Sequence, residues 1–156
     1  MKKLHYLFLA LIFVFATSCG GGSGKSKIDQ IKEQSKMEPA DPYASWESNY
    51  GVGPIKEFVL PAEVDAALAN NGKEVFEAKC TACHKAEKKF IGPSPKDILS
   101  RRTPAWVMNM ILNPEEMVQK DPIAKQLLMD FNGSPMANQN LTEEEARAVL
   151  EYFRTL

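Results

Sequence analysis

The hydrophobic residues of this chain follow a pattern that divides it into three parts. Residues 7–16 are an unbroken apolar run that follows two lysines. Residues 25–54 are polar, contain several prolines and glycines, and show no sustained apolar period. From residue 61 onwards, apolar residues recur at helical spacing. The pattern predicts a leader at residues 1–18, a flexible linker at 19–60 and a folded domain at 61–156.

The apolar spacing of the domain predicts an all-α fold of about four short helices, because no segment alternates as a half-buried strand does. The first helix, at residues 62–79, is expected to be interrupted at Asn70-Asn71-Gly72, since Asn and Gly favour a left-handed cap. The others are predicted from their ends: one opened by Thr103-Pro104 and stopped by Asn113-Pro114, one opened by Asp121-Pro122 and ended by Asn132-Gly133, and one opened by a capping box of Thr142 and Glu145.

Apolar residues in the linker leave its position open. Tyr43, Trp46 and Tyr50 either pack on the domain or stay in solvent. Residues 55–60 are rich in apolar side chains and fit an extended arm that packs against the domain.

A single cysteine follows the apolar run of the leader. The run is too short to span a membrane as a helix, which takes about 20 residues, so it is predicted to be the core of a removable export signal. Ala16-Thr17-Ser18-Cys19-Gly20 resembles the lipobox of bacterial lipoproteins, which implies that Cys19 is acylated and anchors the chain to a membrane. The glycine-rich tract after Cys19 would then be a flexible tether. The alternative is an ordinary cleaved signal with Cys19 as a free thiol.

The overall composition narrows the class of protein. With 44% hydrophobic and 25% charged residues, the chain has the composition of a globular protein. Its 19 Lys and Arg against 20 Asp and Glu exclude a strongly basic nucleic-acid-binding protein. About four short helices enclose a thin core, so we expect a large apolar cofactor to complete it.

The strongest motif in the chain is Cys80-Thr81-Ala82-Cys83-His84. Two thiols three residues apart can add to the two vinyl groups of one haem, and the next histidine then reaches the iron. We therefore predict that the helices surround one covalently bound haem c, attached at Cys80 and Cys83, with its iron ligated by His84.

Other sites fit the same cysteine pair less well. A redox-active pair of the thioredoxin type normally follows a β-strand, and none is predicted before Cys80. A zinc site needs a fourth ligand, whereas His84 is the only histidine that remains after the leader is removed. A disulfide between residues three apart would be strained and would gain little loop entropy.

With this motif identified, residues 72–156 resemble a bacterial class I monohaem c-type cytochrome. The matching segments are Gly72 to His84, then Ile91-Gly92-Pro93, Ser134-Pro135-Met136 and Tyr152-Phe153-Arg154. The resemblance implies that the first and last helices cross closely, with Gly72, Phe76 and Tyr152 at the contact. It also implies that the carbonyl of Pro93 accepts a hydrogen bond from Nδ1 of His84, which would fix the ring.

A methionine is expected as the second axial ligand of the iron, and Met136 is the favoured candidate. Met136 lies in a Gly-Ser-Pro loop just before the last helix, where a thioether can reach the ring without bending a helix. The resemblance supports the same residue. The other candidates are Met37 in the linker, Met110 in the core, Met108 and Met129 in core or surface, and Met117 on an exposed turn.

Three further side chains have two interpretations each. Trp106 is either a core aromatic or a cofactor-binding residue that lines the haem crevice and donates its indole N–H to a propionate. Arg101 and Arg102 either face propionates or lie in solvent.

Residues 71–102 hold eight Lys and Arg against four Asp and Glu, whereas residues 103–156 hold four against eight. Lysines around the motif form either a positive collar that steers an acidic partner or a solvated face: Lys79, Lys85, Lys88 and Lys89.

Together these patterns predict a single-electron carrier of a respiratory chain, tethered to the membrane at the periplasmic or outer cell face. Its partners would be a redox donor and a redox acceptor, and it would catalyse no bond chemistry of its own. The alternatives are a haem c subunit of an oxidoreductase, such as a nitrogen-oxide reductase or oxidase, and a gas or redox sensor with an open sixth site. A dihaem peroxidase would need a second Cys-x-x-Cys-His motif, which the sequence lacks.

Overall fold

The computed structural model describes residues 41–156, so the leader, Cys19 and Met37 lie outside the described residues. This part of the chain contains helices and turns but no strand, which confirms the predicted all-α class. The helices are α1 (Ala66–Lys79), α2 (Pro104–Leu112), α3 (Pro114–Lys120), α4 (Pro122–Asp130) and α5 (Glu143–Phe153), with 3₁₀ turns at Trp46–Ser48 and Ile98–Ser100. Within residues 41–156, no helix has the length and apolarity needed to cross a membrane.

The first helix is continuous, so the predicted interruption at Asn70-Asn71-Gly72 is wrong. Gly72 is buried where α1 crosses α5, and a Cβ atom there would overlap the backbone carbonyl of Ala148. The glycine is therefore needed for the close approach of two helices rather than for a cap. Beside it, the ring centroids of Phe76 and Tyr152 are 5.5 Å apart, so the crossing implied by the resemblance is present.

Asn113-Pro114 ends α2 as predicted, and Pro114 also begins α3, a helix that the sequence did not predict. Proline suits the first position of a helix because it has no N–H that would need a partner there. Glu115 and Glu116 in the first turn of α3 stabilise its positive end. Met117, predicted on an exposed turn, is 0% exposed on this helix.

The predicted helix caps are otherwise confirmed. The Thr103 hydroxyl accepts from the N–H of Trp106 at 3.1 Å, and the Asp121 carboxylate accepts from Ala124 N–H at 2.8 Å. Thr142 and Glu145 form the reciprocal capping box of α5. These contacts fix where α2, α4 and α5 begin.

Residues 41–60, which we call the N-terminal arm, pack on the helices. The arm belongs to the same compact unit as the helices. Polar residues along the arm separate apolar side chains that all pack against the core: Tyr43, Trp46, Val52, Ile55, Phe58 and Leu60. Asn109 of α2 is fully buried beneath the arm and bonds to it three times. Its Oδ1 accepts from Ile55 N–H at 3.0 Å, and its Nδ2 donates to the carbonyls of Tyr50 and Ile55 at 2.8 and 2.7 Å.

A buried carboxylate lies on the last helix. Glu151 is 0% exposed and forms ion pairs with Arg147 at 2.5 Å and Arg154 at 2.7 Å. It also accepts a hydrogen bond from the N–H of Asp65, the cap residue of α1, at 2.8 Å. Burial raises the pKa of Glu151, but this hydrogen bond and the two arginines outweigh it and leave the pKa below the ordinary value.

Candidate cofactor site

The helices surround a largely apolar cavity of about 220 Å³. All five helices contribute to its walls, together with the loop before α2 and the loop between α4 and α5. Most of the predicted site residues line this one cavity: Cys80, Cys83, His84, Pro93, Trp106 and Met136. The fold therefore brings together side chains that are up to 56 residues apart in sequence.

The cysteine motif continues α1 by one turn. The N–H of Cys80 donates to the carbonyl of Phe76 at 2.9 Å, and the N–H groups of Cys83 and His84 both donate to the carbonyl of Cys80. This turn places the two sulfurs and the imidazole beside the same cavity. Both thiols are free, and burial, with a smaller contribution from Cys83, raises the pKa of Cys80.

The ring of His84 is fixed from two sides. Its Nδ1 lies 2.8 Å from the carbonyl oxygen of Pro93. A carbonyl can only accept, so Nδ1 carries the hydrogen, and in the neutral imidazole Nε2 then has its lone pair available for a metal. Gly92 presses against the ring, since a Cβ atom there would lie 2.5 Å from Cε1. The sequence matched Gly92 only as part of a segment, and its contact with the histidine was not predicted.

Only two of the described methionines line the cavity. Met136 does so from the loop between α4 and α5, and Met110 does so from α2. Met108 is buried in the core and Met129 is 59% exposed. The sulfur of Met117 lies under the N-terminal arm, where it accepts a hydrogen bond from Val52 N–H at 3.0 Å.

Trp106 lines the cavity, but its indole N–H does not face it. Nε1 donates to Oδ1 of Asp121 at 3.0 Å in a buried contact, so it is already committed and not free for a propionate. The ring itself is 3% exposed. The sequence indicated Asp121 only as a helix cap, because nothing local to it shows a partner 15 residues away.

The two arginines before α2 differ in how their guanidinium groups are used. Arg101 donates to the carbonyls of Ser94 and Lys96, both at 2.8 Å. Arg102 is 5% exposed, and its Nε has no hydrogen-bond partner. Both side chains line the cavity, and burial lowers the pKa of each.

Lysines and exposed apolar residues lie together around the motif. Lys85 donates to the carbonyl of Thr81 at 3.0 Å and lies 4.9 Å from the ring centroid of Phe90. Phe90 and Ile91 are 50% and 48% exposed. Lys89 lies 4.3 Å from the ring centroid of Phe131, which lines the cavity. The surface beside the cavity is thus both cationic and apolar.

These residues fit a haem c. Two free thiols and an imidazole with a free Nε2 lie at a cavity whose walls are mainly apolar. The unpaired Nε of Arg102 provides a donor for a propionate. A zinc site fits poorly, because residues 41–156 contain no group of three or more His, Cys, Asp or Glu that could hold a metal ion.

Known proteins resemble this chain over the same region. The family model described as cytochrome c matches residues 69–156. Cytochrome c-551 of Ectopseudomonas mendocina is 30% identical over 87 residues, which are 55% of this chain and 98% of that protein. A solved cytochrome c from Rhodothermus marinus is 46% identical with a TM-score of 0.63 and covers 66% of this chain and 88% of its own. An engineered Rhodothermus marinus cytochrome c is 43% identical with a TM-score of 0.64, over 74% of this chain and 96% of its own.

Proposed function

Since this chain belongs to the cytochrome c family, we propose that it serves a respiratory chain as a membrane-tethered carrier whose haem iron is ligated by His84 and Met136. Like its family, it is an electron carrier with one covalently bound haem c, and Cys80 and Cys83 fit the attachment site. The finer proposal concerns the axial ligands, the tether and the partners.

The observation that carries the proposal is the set of side chains on one cavity. Cys80, Cys83 and His84 come from a single turn, and Met136 comes from a loop on the same cavity. When bound, the haem supplies an iron redox couple that gains or loses one electron. The protein holds the His84 ring through Pro93 and Gly92, and the apolar walls exclude water.

Ligation by Met136 separates a carrier from a sensor or a catalyst. A thioether favours ferrous iron, so it raises the reduction potential relative to two histidines. A bound thioether also occupies the position that a gas or a peroxide would need. The loop position of Met136 supports this role, because a loop can adjust to the metal while α2 constrains Met110.

The partners are proposed to be an acidic redox donor and acceptor that approach the cationic and apolar surface beside the cavity. Lys85 and Lys88 would steer the encounter, and Phe90 and Ile91 would form the close contact. Both apolar residues are about half exposed, as a transient interface requires.

The tether and location rest on the sequence alone. We propose that residues 1–18 are removed on export, that Cys19 is acylated, and that the tether ends where the compact unit begins near residue 40. Such a protein would work in the periplasm or at the outer cell face. The apolar run at residues 7–16 and the lipobox-like segment at 16–20 support this proposal.

One experiment on the full chain tests the proposed function. The chain is produced in cells that mature c-type cytochromes, and haem retention is followed on a denaturing gel together with carbon monoxide binding. We expect haem to stay with the chain, one electron per protein in a reversible redox titration, and almost no carbon monoxide binding to the reduced form. Rapid carbon monoxide binding by the unmodified protein would contradict Met136 as a ligand and favour the sensor.

A further inference from the structure

Arg102 is a cation buried in the wall of the haem cavity. It is 5% exposed, and its guanidinium Cζ lies 4.9 Å from the ring centroid of Tyr43 and 5.2 Å from that of Trp106. Nη1 donates to the carbonyl of the adjacent Arg101, and Nε has no hydrogen-bond partner. Stacking on two aromatic rings stabilises a guanidinium but supplies no counter-charge.

No carboxylate neutralises Arg102 within residues 41–156. Asp121 is the carboxylate that acts on Arg102, but its effect is smaller than that of Tyr43, and its oxygens already accept from Trp106, Ala124 and Asn49. A buried cation without an anionic partner is costly, so the arrangement is stabilised by any anion that the cavity receives. The haem of this family brings propionate carboxylates, and Arg102 lines the cavity that holds it.

The N-terminal arm holds one of the two rings against Arg102. Tyr43 donates its hydroxyl to Oδ2 of Asp130, at the end of α4, at 2.7 Å. The arm is also fixed directly beside Arg102, because the Thr103 hydroxyl donates to the carbonyl of Asn49 at 2.6 Å. The Tyr43 ring is thus tied to α4 while it covers the guanidinium.

We propose that Tyr43 is a positioning residue that acts through Arg102, so that docking of the N-terminal arm holds the guanidinium toward a haem propionate and raises the reduction potential. Reduction adds one negative charge to the haem. A fixed cation that pairs with the propionate stabilises the reduced form, and a cation that moves into water does so less. The inference rests on haem in this cavity, and it depends neither on the membrane tether nor on the identity of the partners.

The first test measures the midpoint potential of full-chain variants at position 43. Tyr43→Leu removes the ring from Arg102, and we expect a lower reduction potential. The covalent haem should be retained, and so should the charge-transfer band between the haem iron and the methionine sulfur, which reports that the methionine is bound. Tyr43→Phe keeps the ring and loses only the hydrogen bond to Asp130, so its potential should stay near that of the parent. Tyr50→Leu is the matched control, because Tyr50 lies on the same arm, is 42% exposed and does not stack on Arg102.

The second test asks whether Tyr43 acts through Arg102. Arg102→Leu should lower the potential further, and adding Tyr43→Leu to it should cause no additional shift. Arg102→Lys keeps the charge and should restore part of the potential. If Arg102→Leu does not fold, the same comparison is made in the Arg102→Lys background, where the effect of Tyr43→Leu should be smaller than in the parent.

Two results would overturn the inference. One is a Tyr43→Leu variant that is less stable but has the parent's potential. The other is a Tyr43→Leu shift that is equally large with and without Arg102. Both are distinct from a failure of the proposed ligands, which would appear as a missing charge-transfer band in the unmodified protein.

Discussion

Gly92 and His84 are in contact, and a Cβ atom on residue 92 would lie 2.5 Å from Cε1 and 2.9 Å from Nδ1 of the imidazole. The next residue, Pro93, provides the carbonyl that holds Nδ1 at 2.8 Å. The loop thus fixes the histidine by a steric contact and a hydrogen bond from adjacent residues. Any side chain at residue 92 must displace the ring or the carbonyl.

Gly92→Ala is expected to disturb the iron site without preventing haem attachment. The added methyl group is overpacked against the ring, which should lower the free energy of unfolding by about 1–3 kcal/mol. The iron–sulfur charge-transfer band should weaken, because the histidine no longer lies in its fixed position. Optical spectra and denaturant titrations measure both effects.

Gly133→Ala provides the control for this substitution. Gly133 has φ of 71° and nothing within 4 Å of an added Cβ, so alanine there strains only the backbone. It should cost about 1 kcal/mol and leave the optical spectrum unchanged. Equal spectra for the Gly92 variant and the parent would show that the ring is not held by this contact.

Met136→Ala should remove the second axial ligand and leave that coordination position of the haem iron vacant. We expect the charge-transfer band to disappear, the potential to fall and carbon monoxide to bind the reduced variant. Met110→Ala is the matched variant, because Met110 also lines the cavity but lies on α2. It should cost about 2 kcal/mol of packing and leave carbon monoxide excluded. The reverse result would assign the ligand to Met110.

Acid should destabilise the protein in part through Glu151. Its folded-state pKa lies below the ordinary value of 4.5, so its ionised form contributes stability that is complete above that value and is lost as pH falls through the folded pKa. Glu151→Gln should remove this part of the pH dependence of the free energy of unfolding. At neutral pH it should lower that free energy by about 3 kcal/mol, because Arg147 and Arg154 lose their counter-charge. The exposed Glu143 on the same helix is the control, because Glu143→Gln removes no buried charge, and denaturant titrations between about pH 3 and 7 compare the two variants.

Salt should slow electron transfer to an acidic partner. The Debye length falls from about 10 Å at 0.1 M to about 3 Å at 1 M salt, which screens the lysines beside the cavity. Lys88→Gln should reduce both the bimolecular rate and its salt dependence, whereas Lys56→Gln on the N-terminal arm should change neither. If the bimolecular rate, measured by stopped flow, does not change with salt, the partner docks on Phe90 and Ile91 without electrostatic steering by the lysines.

Cys19→Ser tests the membrane tether. The variant should move from the membrane fraction to the soluble fraction and keep its haem, because the attachment site lies 61 residues further along the chain. Fractionation followed by haem staining measures both properties. A variant that stays with the membrane would show that acylation of Cys19 is not the anchor.

The sequence predicted the features of this fold that are local. The caps of α2, α4 and α5 are recognisable within four residues, and the structure contains them. The resemblance to a family added two contacts between distant positions, Gly72 against α5 and His84 with Pro93. Both are present, because close backbone approach and imidazole orientation depend on residue types that the motifs name.

The features that were missed depend on partners far along the chain. Helix α3 has seven residues, too few for an apolar period, and its Met117 is buried by an arm 65 residues earlier. The buried state of Arg102 likewise depends on Tyr43 and Trp106, so the sequence alone left it open whether the two adjacent arginines face propionates or lie in solvent. Asn70-Asn71-Gly72 was misinterpreted because the tertiary contact at Gly72 overrides its local preference for a turn.

The N-terminal arm makes its hydrogen bonds with side chains of the core. The amides of Val52 and Ile55 donate to Met117 and Asn109, and both of these residues are 0% exposed. A backbone amide exchanges its hydrogen with solvent only when such a contact opens, and here the arm must first leave α2 and α3. Deuterium uptake at these two amides is therefore expected to be slow, although the arm's only regular element is one 3₁₀ turn, and it reports how often the arm leaves the helices beneath it.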